Sequence, residues 1–173
     1  MNKSRPILYL LLGYPGAGKT TTAKIISQLS GAEHLSSDST RLDLFKNPTF
    51  NQEEHRKLYK KLDELAERFL REGKNVIYDA NLNRYQHRQE KYDICRKTGA
   101  QPVLLWVRTP RQLAKQRATH VNRQPLWPDN ETSEAMFERI ANVIEEPHVN
   151  EPYIQIDGTK VSPEYISKQL DLI

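Results

Sequence analysis

The sequence predicts an α/β fold, a parallel sheet held between two layers of helices, and three observations lead there. Short apolar runs alternate with helical stretches along the whole chain. The runs "ILYLLL" and "QPVLLWVR" are almost continuously apolar, as strands buried on both faces must be. The helical stretches between them stop at turn-formers such as Gly31, Gly73 and Pro147. Strand, helix and strand in succession require right-handed crossovers, and such sheets bind ligands at the carboxyl ends of their strands.

The first strand is "PILYLLLG", closed by Gly13. "KTTTAKIISQLSG" follows as a helix, and "EHLSS" as a weaker second strand. "QEEHRKLYKKLDELAERFLREGK" gives the clearest helix, with Leu58, Leu62, Leu65, Phe69 and Leu70 on one stripe and basic side chains on a solvated face. "NVIYDA" is the third strand, "RYQHRQEKYDICRKTG" a helix, and "QPVLLWVR" the fourth strand. Pro110 suits the first turn of the helix "PRQLAKQRATH". A loop rich in proline and Asx residues leads to "SEAMFERIANVIEE", a helix with Met136, Phe137, Ile140, Val143 and Ile144 on one face and Pro147 as its stop. "PYIQID" is the fifth strand. Ser162 caps a closing helix that has Pro163 at its first position.

The 173 residues suffice for one domain and are too few for two ordinary ones, so residues 1–173 read as a single unit with a small lid at about 117–132. With 37% hydrophobic and 28% charged residues, the balance is that of a globular protein rather than a disordered one. An apolar run of six residues is too short for a membrane span or a signal segment, which predicts a cytoplasmic location and no membrane partner. The single cysteine, Cys95, rules out an intramolecular disulfide and reads as a half-buried helix residue. A net charge of +4 suits a phosphate-rich ligand without implying nucleic acid.

"GYPGAGKT" fits G-x-x-x-x-G-K-[ST] at every fixed position, after a strand and at the opening of a helix. The motif predicts the P-loop NTPase form of the fold, a three-layer α/β/α sandwich on a five-stranded parallel sheet. Gly13, Tyr14, Pro15, Gly16, Ala17, Gly18, Lys19, Thr20 and Thr21 are the expected cradle for a nucleoside triphosphate, with ATP the expected cofactor. Glycines let successive N–H groups turn toward phosphate, and the helix N-terminus adds partial positive charge. Lys19 is placed to reach the β- and γ-phosphates, and the Thr20 hydroxyl to ligate Mg²⁺.

The rest of the chain narrows the fate of the bound nucleotide. No N-K-x-D guanine-reading motif is present. "LSG" at the end of the first helix lacks the remainder of a transporter signature. The strand "NVIYDA" ends in one acid, Asp79, where a motor ATPase wants an acidic pair. Asp38, just past the second strand, is expected at the carboxyl edge facing the γ-phosphate. A carboxylate with a reference pKa of about 3.9 is ionised at neutral pH and can take a proton from an alcohol. Arg41, one helical turn on, can hold an anionic group of the acceptor. The alternative makes Asp38 a helix N-cap and Arg41 a surface residue.

"GYPGAGKT", "SDSTR" and "VIYDANLNR", in this order and at this spacing, resemble the P-loop kinases of the AAA_33, polynucleotide 5′-hydroxyl kinase-like group, which also takes in chloramphenicol phosphotransferase and the zeta toxins. The resemblance implies that Asp38 is the general base and Arg41 the clamp on the acceptor's phosphate. It implies that Asp79 supports the P-loop and the Mg²⁺ shell, directly or through water. Asn81 and Asn83 either touch the acceptor or order their own loop by Asx turns. The acceptor is a hydroxyl, on a polynucleotide 5′ end or on a small metabolite or antibiotic; a regulatory ATPase without an acceptor is the third possibility.

The resembling kinases use a lid arginine to neutralise the charge of transfer. Arg117 and Arg123 are the candidates, six residues apart where the bacteriophage pattern has four. Trp127 reads as a plug beneath the lid or as a stacking platform. By resemblance, "DGT" at 157–159 lies where adenine is contacted; a plain turn explains it equally. "NRYQHRQEKY" is either a nucleic-acid stripe or an amphipathic helix with a wet face.

Overall fold

The computed structural model describes residues 5–120 and 131–171. Five parallel strands form one sheet in the order β2-β3-β1-β4-β5. They are β1 (Ile7–Leu12), β2 (Glu33–Ser36), β3 (Val76–Asp79), β4 (Gln101–Arg108) and β5 (Tyr153–Asp157). The helices are α1 (Lys19–Ser30), α2 (Ser37–Leu44), α3 (Gln52–Arg71), α4 (Tyr85–Thr98), α5 (Arg111–Thr119), α6 (Ser133–Ala141) and α7 (Pro163–Leu170).

Strand β1 shows why its sequence is apolar throughout. Leu8, Leu10 and Leu12 enter one core with Leu58, Leu62, Ala66 and Leu70 of α3 and Ile94 and Cys95 of α4. Tyr9 and Leu11 enter the other, with Ala23 and Ile26 of α1 and Ile166 of α7. Both faces are covered, so alternation disappears. The α3 residues recur every fourth position, and each buried leucine contributes about 1.5–3 kcal/mol. Leu65 and Phe69 flank that stripe and are only partly buried. Gly31 ends α1 at φ 68, as its sequence position predicts. Ser162 caps α7 and accepts from the Tyr165 N–H. Among the described residues no helix is long and apolar enough to cross a membrane.

Several expectations need correction. Helix α2 has no apolar periodicity to announce it, and Leu42 and Leu44 are exposed. Pro110 is the residue flanking α5, not part of its first turn. Helix α6 ends at Ala141, because the Glu145 N–H bonds to Asn83 O (2.8 Å) and the Glu146 carbonyl to Arg88, which takes this backbone out of helical pairing. Val143 is accordingly exposed. Arg88 and Lys91 are neither a stripe for nucleic acid nor a wet face. They are 0% and 1% exposed, on the inner side of α4. Lys91 Nζ donates to both Asp63 oxygens (2.6 and 2.8 Å), where the Tyr78 hydroxyl also donates. Cys95 is fully buried rather than half-buried.

Candidate active site

A cleft of about 580 Å³ opens at the carboxyl ends of β1, β2 and β3. Pro15, Gly16, Gly18, Lys19, Thr20 and Thr21 form one wall, Asp38, Asp79, Asn81 and Asn83 a second, and Arg117, Gly158 and Thr159 a third. Most of the expected site residues therefore meet in one place. A cavity of similar volume between α4 and β4 contains Cys95 and no residue of the loop. Burial pushes that thiol up to about 12, so it supplies no nucleophile at neutral pH.

The loop is built by close approach. Gly16 sits at φ 77, and a Cβ there would lie 2.2 Å from the Ala114 carbonyl oxygen, so α5 rests directly on the loop. Ala17 is fully buried, and its carbonyl accepts from the Thr109 hydroxyl at 2.8 Å. Gly158, after β5, closes the same corner: its Cβ would meet Thr109 Oγ1 at 2.0 Å and Ala17 O at 2.2 Å. Gly13 and Tyr14 stand behind the cleft wall rather than in it. Their carbonyls accept from Lys19 Nζ, each at 2.8 Å, which holds the ammonium over the loop. The Tyr14 ring packs on Phe137, with the Arg111 guanidinium 5.7 Å from its centroid.

Asp38 reaches the cleft because Ser36, not Asp38, caps α2, accepting from the Ser39 N–H. The alternative role as N-cap is thus taken by another residue. Asp79 ends β3 beside Ser36 in the parallel register. It is buried, and its Oδ2 lies 3.0 Å from His34 Nε2. The strand alternation of "EHLSS" puts His34 and Ser36 on one face, the signal that could have identified His34.

Arg41 is not brought to the cleft. It is buried, its Nη1 lies 3.5 Å from Glu54 Oε2, and its guanidinium stacks 4.7 Å above the Phe50 ring. Glu54 in turn accepts from the Thr49 and Phe50 backbone N–H groups. Burial opposes the charge on Glu54, but those N–H bonds, the Thr49 hydroxyl and Arg41 outweigh it and hold the carboxyl below its usual range. Arg117 lines the cleft and donates to the Gly158 carbonyl at 3.0 Å. Arg123 and Trp127, with most of the expected lid, lie outside the described residues.

The loop after β3 is fastened from two sides. The Tyr59 hydroxyl accepts from Asn81 N (3.1 Å) and donates to Asn81 O (3.4 Å), and burial pushes its pKa up to about 12, which keeps the proton that this second bond needs. On the other side, Arg88 Nη1 donates to the Leu82 and Asn83 carbonyls (3.1 and 3.5 Å). Its Nε and Nη2 pair with Glu151 at 2.9 and 2.8 Å. Sequence reading missed Tyr59 and Glu151 because both lie far along the chain from the loop they hold.

The profile of the AAA_33 family, an AAA domain, matches residues 8–147. A protein of Thermococcus onnurineus that carries a provisional adenylate kinase name is 27% identical over 161 residues, 91% of this chain and 78% of its own. Among solved structures, a provisionally assigned kinase of Chloroflexus aurantiacus superposes with a TM-score of 0.77 at 16% identity, over 97% of this chain and 98% of that one. The Mycobacterium tuberculosis APS kinase, solved with AMPPNP and APS, gives 0.68 at 17% identity, over 97% of each chain.

Proposed function

The chain belongs to the AAA_33 family of AAA domains, and from that premise we propose that it is a P-loop kinase that moves the γ-phosphate of ATP to an alcohol. The observation that carries this reading is Asp38, a carboxylate that lines the same cleft as Lys19 and the loop. An alcohol between them attacks the γ-phosphorus. The new O–P bond forms as the bond from the γ-phosphorus to the β,γ-bridging oxygen breaks, ADP leaves with that electron pair, and the alcohol's proton passes to Asp38. Lys19 and Arg117 offset the negative charge of transfer, with Arg123 proposed to join them.

The donors fit Mg²⁺. Thr20 and Asp79 offer hard oxygens on the cleft wall. Among the described residues no group of three or more His, Cys, Asp or Glu could hold a metal alone, so nucleotide phosphates would complete the shell. Thr20 would ligate the ion and Asp79 would support it, oriented by His34. Bound there, the ion would supply charge neutralisation for the phosphates during transfer.

The test is ADP release from ATP with and without alcohols drawn from nucleosides, sugars and 5′-hydroxyl oligonucleotides. An effective acceptor is expected to raise ADP release at least ~10-fold over water and to become phosphorylated. ADP formed at one slow rate whatever is added would leave a regulatory ATPase instead. A second expectation concerns the cradle. Gly158→Ala must displace the Ala17 peptide or the Thr109 hydroxyl, so ATP should bind at least ~10-fold more weakly in a fluorescent-nucleotide titration.

A further inference from the structure

Four polar residues face the loop across the cleft: Asp38, Asp79, Asn81 and Asn83. The two asparagines are not equivalent. Asn81 is exposed, and its Oδ1 accepts from the Asn83 N–H at 3.1 Å, an Asx turn that orders the loop. Asn83 is only 3% exposed. Its N–H is used in that turn, and its carbonyl accepts from Glu145 N and Arg88. Its carboxamide makes no hydrogen bond among the described residues, and neither of that group's polar atoms is sealed from the cleft. Open to the cleft and without a protein partner among the described residues, the carboxamide is placed to pair with whatever occupies the cleft, water or a ligand.

The charges on that wall say what kind of ligand. Lys19 and Arg117 stand on the loop and β5 sides. Arg41, which could have received an anionic acceptor, is turned to Glu54 and Phe50. Arg88 and Lys91 are interior. Among the described residues the acceptor wall thus offers two carboxylates and two carboxamides. Such groups accept from and donate to hydroxyls, and none of the four supplies a cation to receive an acceptor phosphate.

Resting on the kinase reading above, we propose that Asn83 contacts the acceptor through its carboxamide, and that the acceptor is a neutral, hydroxyl-rich small molecule rather than a phosphate-bearing chain. Asn83 donates to one acceptor oxygen and accepts from a neighbouring hydroxyl, which sets the reacting alcohol against Asp38.

The test uses the full chain with γ-labelled ATP. Hexoses, pentitols and ribonucleosides are the neutral probes; sugar phosphates and a 5′-hydroxyl oligonucleotide are the anionic ones. A neutral probe should be labelled. Asn83→Ala should raise that probe's KM at least ~10-fold, with the KM for ATP moving less than about threefold. Asn83→Asp keeps the side-chain shape and should raise the acceptor KM as well, and thermal midpoints of both variants verify that the fold stands. Labelling confined to the oligonucleotide or the sugar phosphates would overturn the acceptor class and leave the kinase reading intact. An acceptor KM unmoved in both variants would remove Asn83 from the contact. If no alcohol of either class is labelled, both readings fall together.

Discussion

Asp38→Asn is expected to lower phosphoryl transfer by about 10²–10⁴-fold, with the Kd for ATP changed less than about threefold. The asymmetry comes from where the residue stands. On the proposed reading, nucleotide is held mainly by the loop, by Lys19 and by the corner formed by Thr109, Ala17 and Gly158, whose bonds to one another do not involve the Asp38 side chain. The amide keeps the shape of the carboxylate and its place near the start of α2, where Ser36 supplies the cap, so the helix should persist. What is lost is the proton acceptor. Single-turnover transfer to a labelled alcohol, compared with nucleotide binding by titration, separates the two effects. A regulatory ATPase without an acceptor predicts the opposite, because its hydrolysis has no alcohol to deprotonate. Transfer at wild-type rate in the Asn variant would remove Asp38 as base.

The P-loop and the sheet were legible in the sequence because their constraints are local. A glycine at φ 77 under a packed helix leaves one residue type, and a strand covered on both faces leaves few. Asp38 was legible as a residue just past the carboxyl end of a strand, where such sheets open their clefts, although β2 is an edge strand with β3 between it and the P-loop strand, not the neighbour the sequence order suggests. The wall after β3 was not legible. Asn81 and Asn83 share a type and a loop, and only the Asx turn separates the residue that orders the loop from the one left unpaired. Arg41 was read as a clamp, since Glu54 is thirteen residues away in a different helix. Arg88 and Lys91 read as surface charge because their partners Glu151 and Asp63 lie 63 and 28 residues distant. A buried ion pair has no signature in either half alone. Helix α2 was hidden because "SDSTRLDL" gives its apolar side chains to solvent.

Arg88→Met is expected to cost about 3–5 kcal/mol of stability, because it leaves Glu151 buried and unpaired. For a domain of this size that is a fall in Tm on the order of 6–20 °C. Arg88→Met with Glu151→Leu should recover part of the loss, since the unpaired buried charge is gone while the groups that bonded to the pair stay without partners. Activity should not recover with stability. In the double variant the Leu82, Asn83 and Glu146 carbonyls still lack their guanidinium donor, so among the described residues the loop after β3 keeps its bonds to Tyr59 and the Glu145 N–H and its own Asx turn but loses those to Arg88. The acceptor KM should therefore stay raised in a protein whose urea midpoint has moved back toward wild type. Restored stability with restored kinetics would make the pair purely structural. Acid gives an independent reading. Burial alone would raise the Glu151 pKa, but Arg88, the His148 N–H and the Tyr92 hydroxyl together hold it below the usual value. A folded pKa below the unfolded value of about 4.3 means the stabilisation is complete above that pH and is lost as pH falls through the folded value. Urea midpoints should accordingly drop less steeply below about pH 4 in the double variant than in wild type. The pair that fastens the loop after β3 would then be visible as an acid-sensitive element of the fold itself.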